Sequence, residues 1–331
     1  MKKDLIDVVY TWVNGNDPKH YQKRISHLPQ SNKLPAGAQK TRFGNVNELY
    51  YSLFSIFTFA PFVNKIYIIT DGQKPELEGI FSAWFPKRKK DVEIIDHQEI
   101  FEGYETHLPT FNSRTIESML WRIKGLAEKF VYFNDDMFLV RHIKKEDWFI
   151  GDTPVLRGKI TLAPFFHIFW QHIQLQLNSN AQIRPSYHLG QFNAAKVAGF
   201  QKTYFVFSHT PHPILKEDAK AFLELPKKII DQQLQFKFRH YSQFNFLSYC
   251  YHLALQKNRN PIAPLALSYL QPAKRNKNYI ENKLMRCENK EEIKFMCVQS
   301  LDLCSKTEQN KVLDWLYKRC LFHLEKNSPI E

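Results

Sequence analysis

Apolar residues run through the first part of the chain in short blocks, each stopped by a polar turn. Residues 6–13 (Ile-Asp-Val-Val-Tyr-Thr-Trp-Val) are β-rich and halt at Asn14-Gly15-Asn16-Asp17-Pro18, which predicts a buried strand closed by a turn. A polar connection is expected from there to about Lys40. Asn45 with Glu48 three residues on has the spacing of a capping box, and Leu49, Leu53, Ile56 and Phe57 then share one helical face that ends before Pro61. Strands follow at 65–70, closing on Asp71-Gly72, and at 92–95, closing on Asp96-His97. A helix is predicted over 115–129 from Ile116, Leu120, Ile123 and Leu126, and it feeds the strand 130–133, which closes on Asn134-Asp135-Asp136. Alternating strands and helices predict an α/β fold with a largely parallel sheet. Asp17, Asp71, Asp96, Asp135 and Asp136 then all follow the carboxyl ends of strands, the edge where open α/β sheets bind ligands.

The second half gives strands near 154–162 and 204–207, an aromatic-rich stretch from Phe165 to Trp170, and the segment Ser208-His209-Thr210-Pro211-His212-Pro213. At the C-terminal end Ser305 to Glu308 has capping-box spacing, and Leu313, Leu316, Tyr317, Cys320, Leu321 and Leu324 form a helical stripe. No repeat, low-complexity tract or linker divides the chain, and 44% hydrophobic residues over 331 positions are enough for one large core. Lys and Arg number 46 against 33 Asp and Glu, a net +13 that favours anionic partners. The five cysteines are an odd set with no metal-ligand spacing, which suggests reduced thiols in a cytosolic setting. No signal-peptide pattern and no apolar run of the ~18–20 residues that cross a bilayer are visible, so any membrane contact is expected to be peripheral.

Asn134-Asp135-Asp136 offers hard oxygen ligands just past an apolar strand, suited to Mg²⁺ or Mn²⁺ on a diphosphate; the alternative is an acidic turn cap. Thr11 to Pro18 reads as a turn former with Trp12 in the core or at its rim, and His97 as a structural histidine. Two prolines beside His209 and His212 limit backbone freedom and fix the direction of an imidazole able to move protons near neutrality, although surface-loop histidines are the ordinary explanation. Arg239, among Phe236, Phe238 and Tyr241, suits bidentate phosphate contact or a stem laid on the core. Lys87 to Lys90 reads as a solvated charge run.

Taken together these segments resemble the Stealth family, which includes bacterial capsule-polymer hexose-phosphate transferases and the animal enzyme that begins the mannose 6-phosphate tag. The first conserved region is similar to Ile6 through Pro18, and the second to Arg42 through Gly72 and Leu108-Pro109-Thr110-Phe111-Asn112-Ser113 through Asp136. A third resembles Gln191-Phe192-Asn193 through His209 to Phe238-Arg239-His240. In the fourth, Phe295 to Asp302, family members often carry Asn-Asp where this chain has Gln299-Ser300, so a ligand role there stays open.

The resemblance implies a single catalytic domain of glycosyltransferase-A-like, Rossmann-like form, with helices on both sheet faces and a helical C-terminal part. Residues 1–150 would be the nucleotide-sugar and metal half, and 151–331 the acceptor and catalytic half. It implies transfer of a hexose 1-phosphate, such as GlcNAc-1-phosphate, from a UDP-sugar to a sugar hydroxyl with release of UMP, in capsule or exopolysaccharide synthesis. On this basis Asp135 and Asp136 hold Mg²⁺ or Mn²⁺, His209 is the base and Arg239 steadies phosphoryl charge. Thr11, Trp12, Asn14 and Asp17 shape the nucleotide pocket, with Asp71, Asn112 and Ser113 as further donor contacts. Rival functions are a metal-dependent glycosyltransferase that expels UDP and a non-enzymatic binder of acidic polymer or nucleic acid. The dispersed positive charge argues against nucleic acid as a partner. The expected location is the bacterial cytosol, peripheral to the inner membrane beside an export complex. The hexose, the acceptor hydroxyl, polymerase against single transfer and the oligomeric state are not legible in the sequence.

Overall fold

The computed structural model describes residues 4–28, 43–164, 183–257, 261–273 and 278–327, with the single positions 35, 37, 38, 173, 177, 275 and 276. Arg42 and the aromatic stretch Phe165 to Trp170 lie outside the described residues. Strand β1 (Ile6–Thr11) leads into helix α1 (Pro18–Ile25). The Asp17 carboxylate accepts from the His20 N–H at 2.7 Å, and Pro18 fills a first-turn position that needs no N–H. This helix occupies part of the stretch expected to be a polar connection.

Helix α2 (Glu48–Phe59) starts later than its predicted cap. Asn47 precedes it in the left-handed region at φ 71°, the Asn45 side chain accepts from the Asn47 N–H, and the Glu48 carboxylate turns back on the Val46 N–H at 2.9 Å. Next come β2 (Ile66–Thr70), α3 (Glu78–Ala83), β3 (Val92–Asp96), α4 (His97–Ile100), α5 (Ser113–Glu117), β4 (Lys129–Asn134) and β5 (Met137–Leu139). The single helix expected over 115–129 is broken. Regular α-helix ends at Glu117, a 3₁₀ turn covers Leu120–Arg122, and Gly125 takes φ +85°, which side chains rarely tolerate. Ile116, Leu120, Ile123 and Leu126 are nevertheless all buried, so their spacing reported burial correctly and conformation only in part.

The remaining strands are β6 (Phe149–Ile150), β7 (Thr153–Pro154), β8 (Leu156–Leu162), β9 (Thr203–Phe207), β10 (His212–Leu215), β11 (Ile262–Ala263), β12 (Leu267–Leu270) and β13 (Phe295–Val298). The remaining helices are α6 (Tyr187–Val197), α7 (Lys216–Lys220), α8 (Lys227–Leu234), α9 (Phe246–Gln256), α10 (Tyr279–Asn289) and α11 (Lys306–Asn327). Ser305 and Glu308 make the reciprocal cap expected at the start of α11.

The main sheet has the order β10-β4-β1-β2-β3; its first four strands in sequence are parallel and β10 is antiparallel to β4. Successive residues of these strands enter two cores. Val9, Tyr67, Ile69, Phe130 and Tyr132 pack toward residues of α5, α8 and α9, whereas Val8, Tyr10, Ile66, Ile68, Val131 and Phe133 pack toward α2 and Cys320 of α11. Each fully buried apolar side chain is worth about 1.5–3 kcal/mol, and a one-residue slip would exchange the two sets, so burial fixes the register. At the amino edge, Asp7 accepts from Asn64, the Lys65 N–H and the Ala127 N–H, tying together the starts of β1, β2 and β4. All five cysteines are free thiols, and no described helix is long and apolar enough to cross a membrane.

Candidate active site at the carboxyl edge of the sheet

Parallel strands must deliver their chain ends to one side, and here that side opens into a cavity of about 360 Å³. Thr11 closes β1 with its hydroxyl 2.7 Å from that of Tyr132, whose O–H also lies 3.0 Å from Asn134 Oδ1. Beyond Asn134 the chain turns through Asp135 and Asp136 into β5, and the Asp136 carbonyl accepts from the Val298 N–H at 3.0 Å. That bond sets the end of β13 beside the acids and brings Gln299, Ser300 and Asp302 into the lining. Gly44 lies so close to Asp302 that a Cβ there would stand 2.6 Å from the carboxylate.

Four acids share this end of the cavity: Glu48, Asp135, Asp136 and Asp302. Burial, against a hydrogen bond from the Val46 N–H, pushes the Glu48 pKa up to about 7, with Asp136 and Asp302 adding to the rise. Burial likewise lifts Asp136 to about 6, opposed by the Cys297 thiol and Arg239, and raises Asp135, which Glu48 and Asp136 push further. Asp136 Oδ1 is enclosed and has no hydrogen-bond partner among the described residues. The contrast with Asp7, whose two oxygens take three donors, separates an acid that completes the scaffold from one left wanting a cation. Among the described residues no three His, Cys, Asp or Glu side chains form a complete metal cage. Two carboxylates with substrate oxygens making up the remainder is the usual arrangement for magnesium, and Asp135 and Asp136 fit it.

His209 is stacked between Tyr187, centroids 4.6 Å apart, and Tyr269, at 5.6 Å. Burial, then Arg239 and His188, lower its pKa to about 4, so the ring is neutral near pH 7 and free to accept a proton. The Arg239 guanidinium donates to Ser113 Oγ at 2.6 Å. Ser113 is the first residue of α5, whose cap is the Asn112 side chain accepting from the Arg114 N–H. Glu117 on the same short helix is raised by burial and drawn back by Arg239 and Ser113.

Of the residues singled out in the sequence, Thr11, Trp12, Asp71, Ser113, Asp135, Asp136, His209 and Arg239 line this one cavity. Asn14, Asp17 and Asn112 do not. Asn14 pairs its backbone with Gln73 and its side chain with the Asn16 N–H, Asp17 caps α1, and Asn112 is fully buried, donating to the Phe236 carbonyl and Gln243. Glu48, His20, Arg184, Gln271 and Asp302 line the cavity without having been expected there, and His97 does so although its sequence context suggested structure alone. Glu48 could have been found as an acid at a helix start, and His20 from the Asp17-Pro18 helix signal. A wider groove of about 720 Å³ runs along α3 and β3, but its charged residues are Glu76, Glu78 and Lys89, the last two paired at 2.8 Å.

Residues 6–29 match the model of Stealth protein CR1, conserved region 1, and residues 42–155 that of Stealth protein CR2, conserved region 2. Capsular polysaccharide phosphotransferase LcbA of Neisseria meningitidis is 46% identical over 147 residues, 44% of this chain and 37% of that protein. Capsular polysaccharide phosphotransferase cps1A of Actinobacillus pleuropneumoniae is 40% identical over 152 residues, 45% of this chain and 39% of that protein. Exopolysaccharide phosphotransferase SCO2592 of Streptomyces coelicolor is 33% identical over 229 residues, 66% of this chain and 22% of that protein. The chain thus spans no more than 39% of the length of these relatives. Among solved structures, galactosyltransferase LgtC in complex with donor and acceptor sugar analogs superposes over 96% of this chain and 95% of its own at 11% identity and a TM-score of 0.46, too remote a likeness to bear on activity. The chain thus carries segments similar to conserved regions 1 and 2 of the Stealth proteins.

Proposed function

We propose that the protein transfers a sugar 1-phosphate from a nucleotide sugar, a UDP-hexose, to a sugar hydroxyl in capsule or exopolysaccharide synthesis. The observation that carries this reading is the convergence, in one cavity, of an acid pair in which Asp136 Oδ1 is enclosed and unbonded among the described residues with a neutral histidine and a serine-anchored arginine. The relatives' printed names, capsular and exopolysaccharide phosphotransferase, support it. In this reading residues 1–150 supply the donor half of the site, and the later half brings His209 and Arg239.

Asp135 and Asp136 would hold Mg²⁺ or Mn²⁺ on the donor diphosphate, and the ion would supply charge neutralisation to the phosphate oxygens. His209 takes the proton from the acceptor hydroxyl as its oxygen bonds to the sugar-linked phosphorus. The bond from that phosphorus to the bridging oxygen breaks, and UMP leaves with the electron pair. Arg239, its direction fixed by Ser113, stabilises the equatorial oxygens during the displacement. The protein would act on the cytoplasmic side, peripheral to the membrane, and purify without detergent.

The leaving group tests this. Incubation with UDP-GlcNAc, Mg²⁺ and a sugar-oligomer acceptor should release UMP and place phosphorus in the product. Stoichiometric UDP with a phosphorus-free product would make the protein an ordinary glycosyltransferase.

A further inference from the structure

Away from the main sheet, strand β8 outruns the core that covers its start. Its register sets Leu156, Gly158, Ile160 and Leu162 on one face, with Phe207, Phe205 and Thr203 of β9 opposite the last three and Ile262 of β11 opposite Leu156. Leu156, Phe205 and Phe207 are buried there, the two phenylalanines against Tyr251 of α9. The Phe205 ring lies over Gly158, where a Cβ would stand 2.7 Å from it, and the strand beyond has no such cover. Ile160, Leu162 and Ile262 are 55%, 77% and 50% exposed. Single exposed apolar residues are ordinary, but three on one face of a small sheet form a patch.

The charge around this patch has one sign. No Asp or Glu occurs from Thr153 through Lys216 or from Gln232 through Ile280, the stretches that contain β8, β9 and β11. The 33 acids of the chain, spread evenly over 331 residues, would put several in each stretch. Lys159, on the other face of β8, is exposed, and so is Lys202, whose carbonyl accepts from the Ala163 N–H at 2.9 Å just past Leu162. Neither lysine lines the active-site cavity, so the anionic donor does not account for them. A polyanion alone would call for the lysines and not for the apolar side chains, and a second copy would set lysines against lysines. Apolar side chains flanked by lysines suit an anionic bilayer, where the former enter the acyl boundary and the ammonium groups stay at the level of the lipid phosphates. We propose that the free end of β8, with Ile262 of β11, is the surface by which the protein docks on an anionic membrane. Ile160, Leu162 and Ile262 enter the interface, and Lys159 and Lys202 meet lipid phosphates. This names the surface and the lipid for the peripheral placement proposed above, and it rests on that placement.

The test is co-sedimentation of the full chain with sucrose-loaded vesicles, either of phosphatidylcholine alone or of phosphatidylcholine and phosphatidylglycerol in equal parts. The native chain is compared with Ile160→Ser combined with Leu162→Ser, and with Lys159→Gln combined with Lys202→Gln. UMP release from UDP-GlcNAc with Mg²⁺ and a soluble acceptor is measured without vesicles. All four side chains are exposed and outside the cavity, so Tm and this rate should match native in both pairs. Native protein should sediment with the phosphatidylglycerol vesicles, and the serine pair should lose about tenfold or more of that affinity. The glutamine pair should lose about fivefold per lysine and show a weaker salt dependence. No vesicle binding by the native chain, equal binding to both vesicles, or binding unmoved in either pair would overturn the docking surface. So would a serine pair that fails to fold, because the two side chains would then belong to the core. Self-association that the serine pair abolishes, without vesicle binding, would give the face to a second copy instead. Native protein that binds the vesicles and releases no UMP would overturn the transferase reading and leave the surface standing.

Discussion

His209 has an environment that selects one protonation state. Two tyrosine rings fix its plane, and burial with Arg239 nearby keeps it uncharged. If it is the base, His209→Ala should lower the transfer rate by about 10²–10⁴-fold while UDP binding stays within a few-fold. Single-turnover UMP release beside calorimetry checks this, and full activity would remove His209 from the mechanism. Glu48 gives a second prediction. Its pKa rises from 4.5 to about 7 on folding, so between those values the native state holds a proton that the unfolded chain has released. Stability from this group is therefore present at low pH and lost as pH rises through the window, by an amount on the order of 3 kcal/mol. Without divalent cation, the urea midpoint of Glu48→Gln should fall less from pH 4.5 to pH 7 than that of the native protein, and Mg²⁺ at the upper end should restore the native midpoint. Parallel falls in both proteins would show that Glu48 does not carry the effect. The sequence showed the acids that close strands because a turn signal follows an apolar run. It could not show that Glu48 and Asp302, a helix start and a loop, meet those acids, since the packing of α2 on β5 places the one and the ladder from β13 to β5 the other.

Among the elements, the strands were the most legible and the helices the least. Short β-rich runs bounded by turns have few alternatives, whereas the apolar spacing of 116–126 fits one helix or a broken one equally well. What breaks it is tertiary. The Arg122 guanidinium reaches the Ile100 and Glu102 carbonyls, and Gly125 supplies the reversed φ before β4. Helix α5 is only five residues long, too short to stand alone, and owes its place to Arg114. That guanidinium, 4% exposed, donates to the carbonyls of His240, Gln243, Pro185 and Ser186, joining α5 to the loop that carries Arg239 and to the start of α6. Gly190 makes the approach possible, because a Cβ there would stand 2.7 Å from the Arg114 side chain. Arg114→Met should cost about 3 kcal/mol by leaving buried carbonyls unpaired, and should reduce transfer beyond what the lost folded fraction explains. Urea denaturation with activity scaled to folded protein separates the two effects; unchanged stability would show that α5 is held by its apolar contacts alone.

At the scale of the molecule, the division at residue 150 describes how the sequence distributes its chemistry, and the chain crosses it repeatedly. Strand β10 completes the main sheet against β4, with His212 opposite Tyr132 and Leu215 opposite Lys129. Strand β13 pairs with β5, and α11 packs on α2, so the core below the sheet combines Leu53 and Phe54 with Phe295, Cys297 and Cys320. The cavity is shared as well, with Asp135 and Asp136 from the first half and His209, Arg239 and Asp302 from the second. None of these long-range pairings has a local signature, which is why the second half was read with fewer elements than it has. A piece ending at residue 150 would expose one edge of β4, the free side of β5 and the apolar face of α2, and unpaired strand edges with exposed core are aggregation templates. Expressed separately, residues 1–150 and 151–331 should each be insoluble or lack near-ultraviolet circular dichroism, and neither should bind UDP. The intact chain should unfold in one transition, with tryptophan fluorescence and UDP binding lost together, because Trp12 and Trp148 report on the same sheet from opposite ends of the first half. A soluble 1–150 fragment with native near-ultraviolet signal would mean that the four parallel strands form a folding unit of their own, and that β10 and β13 are added to a sheet already made.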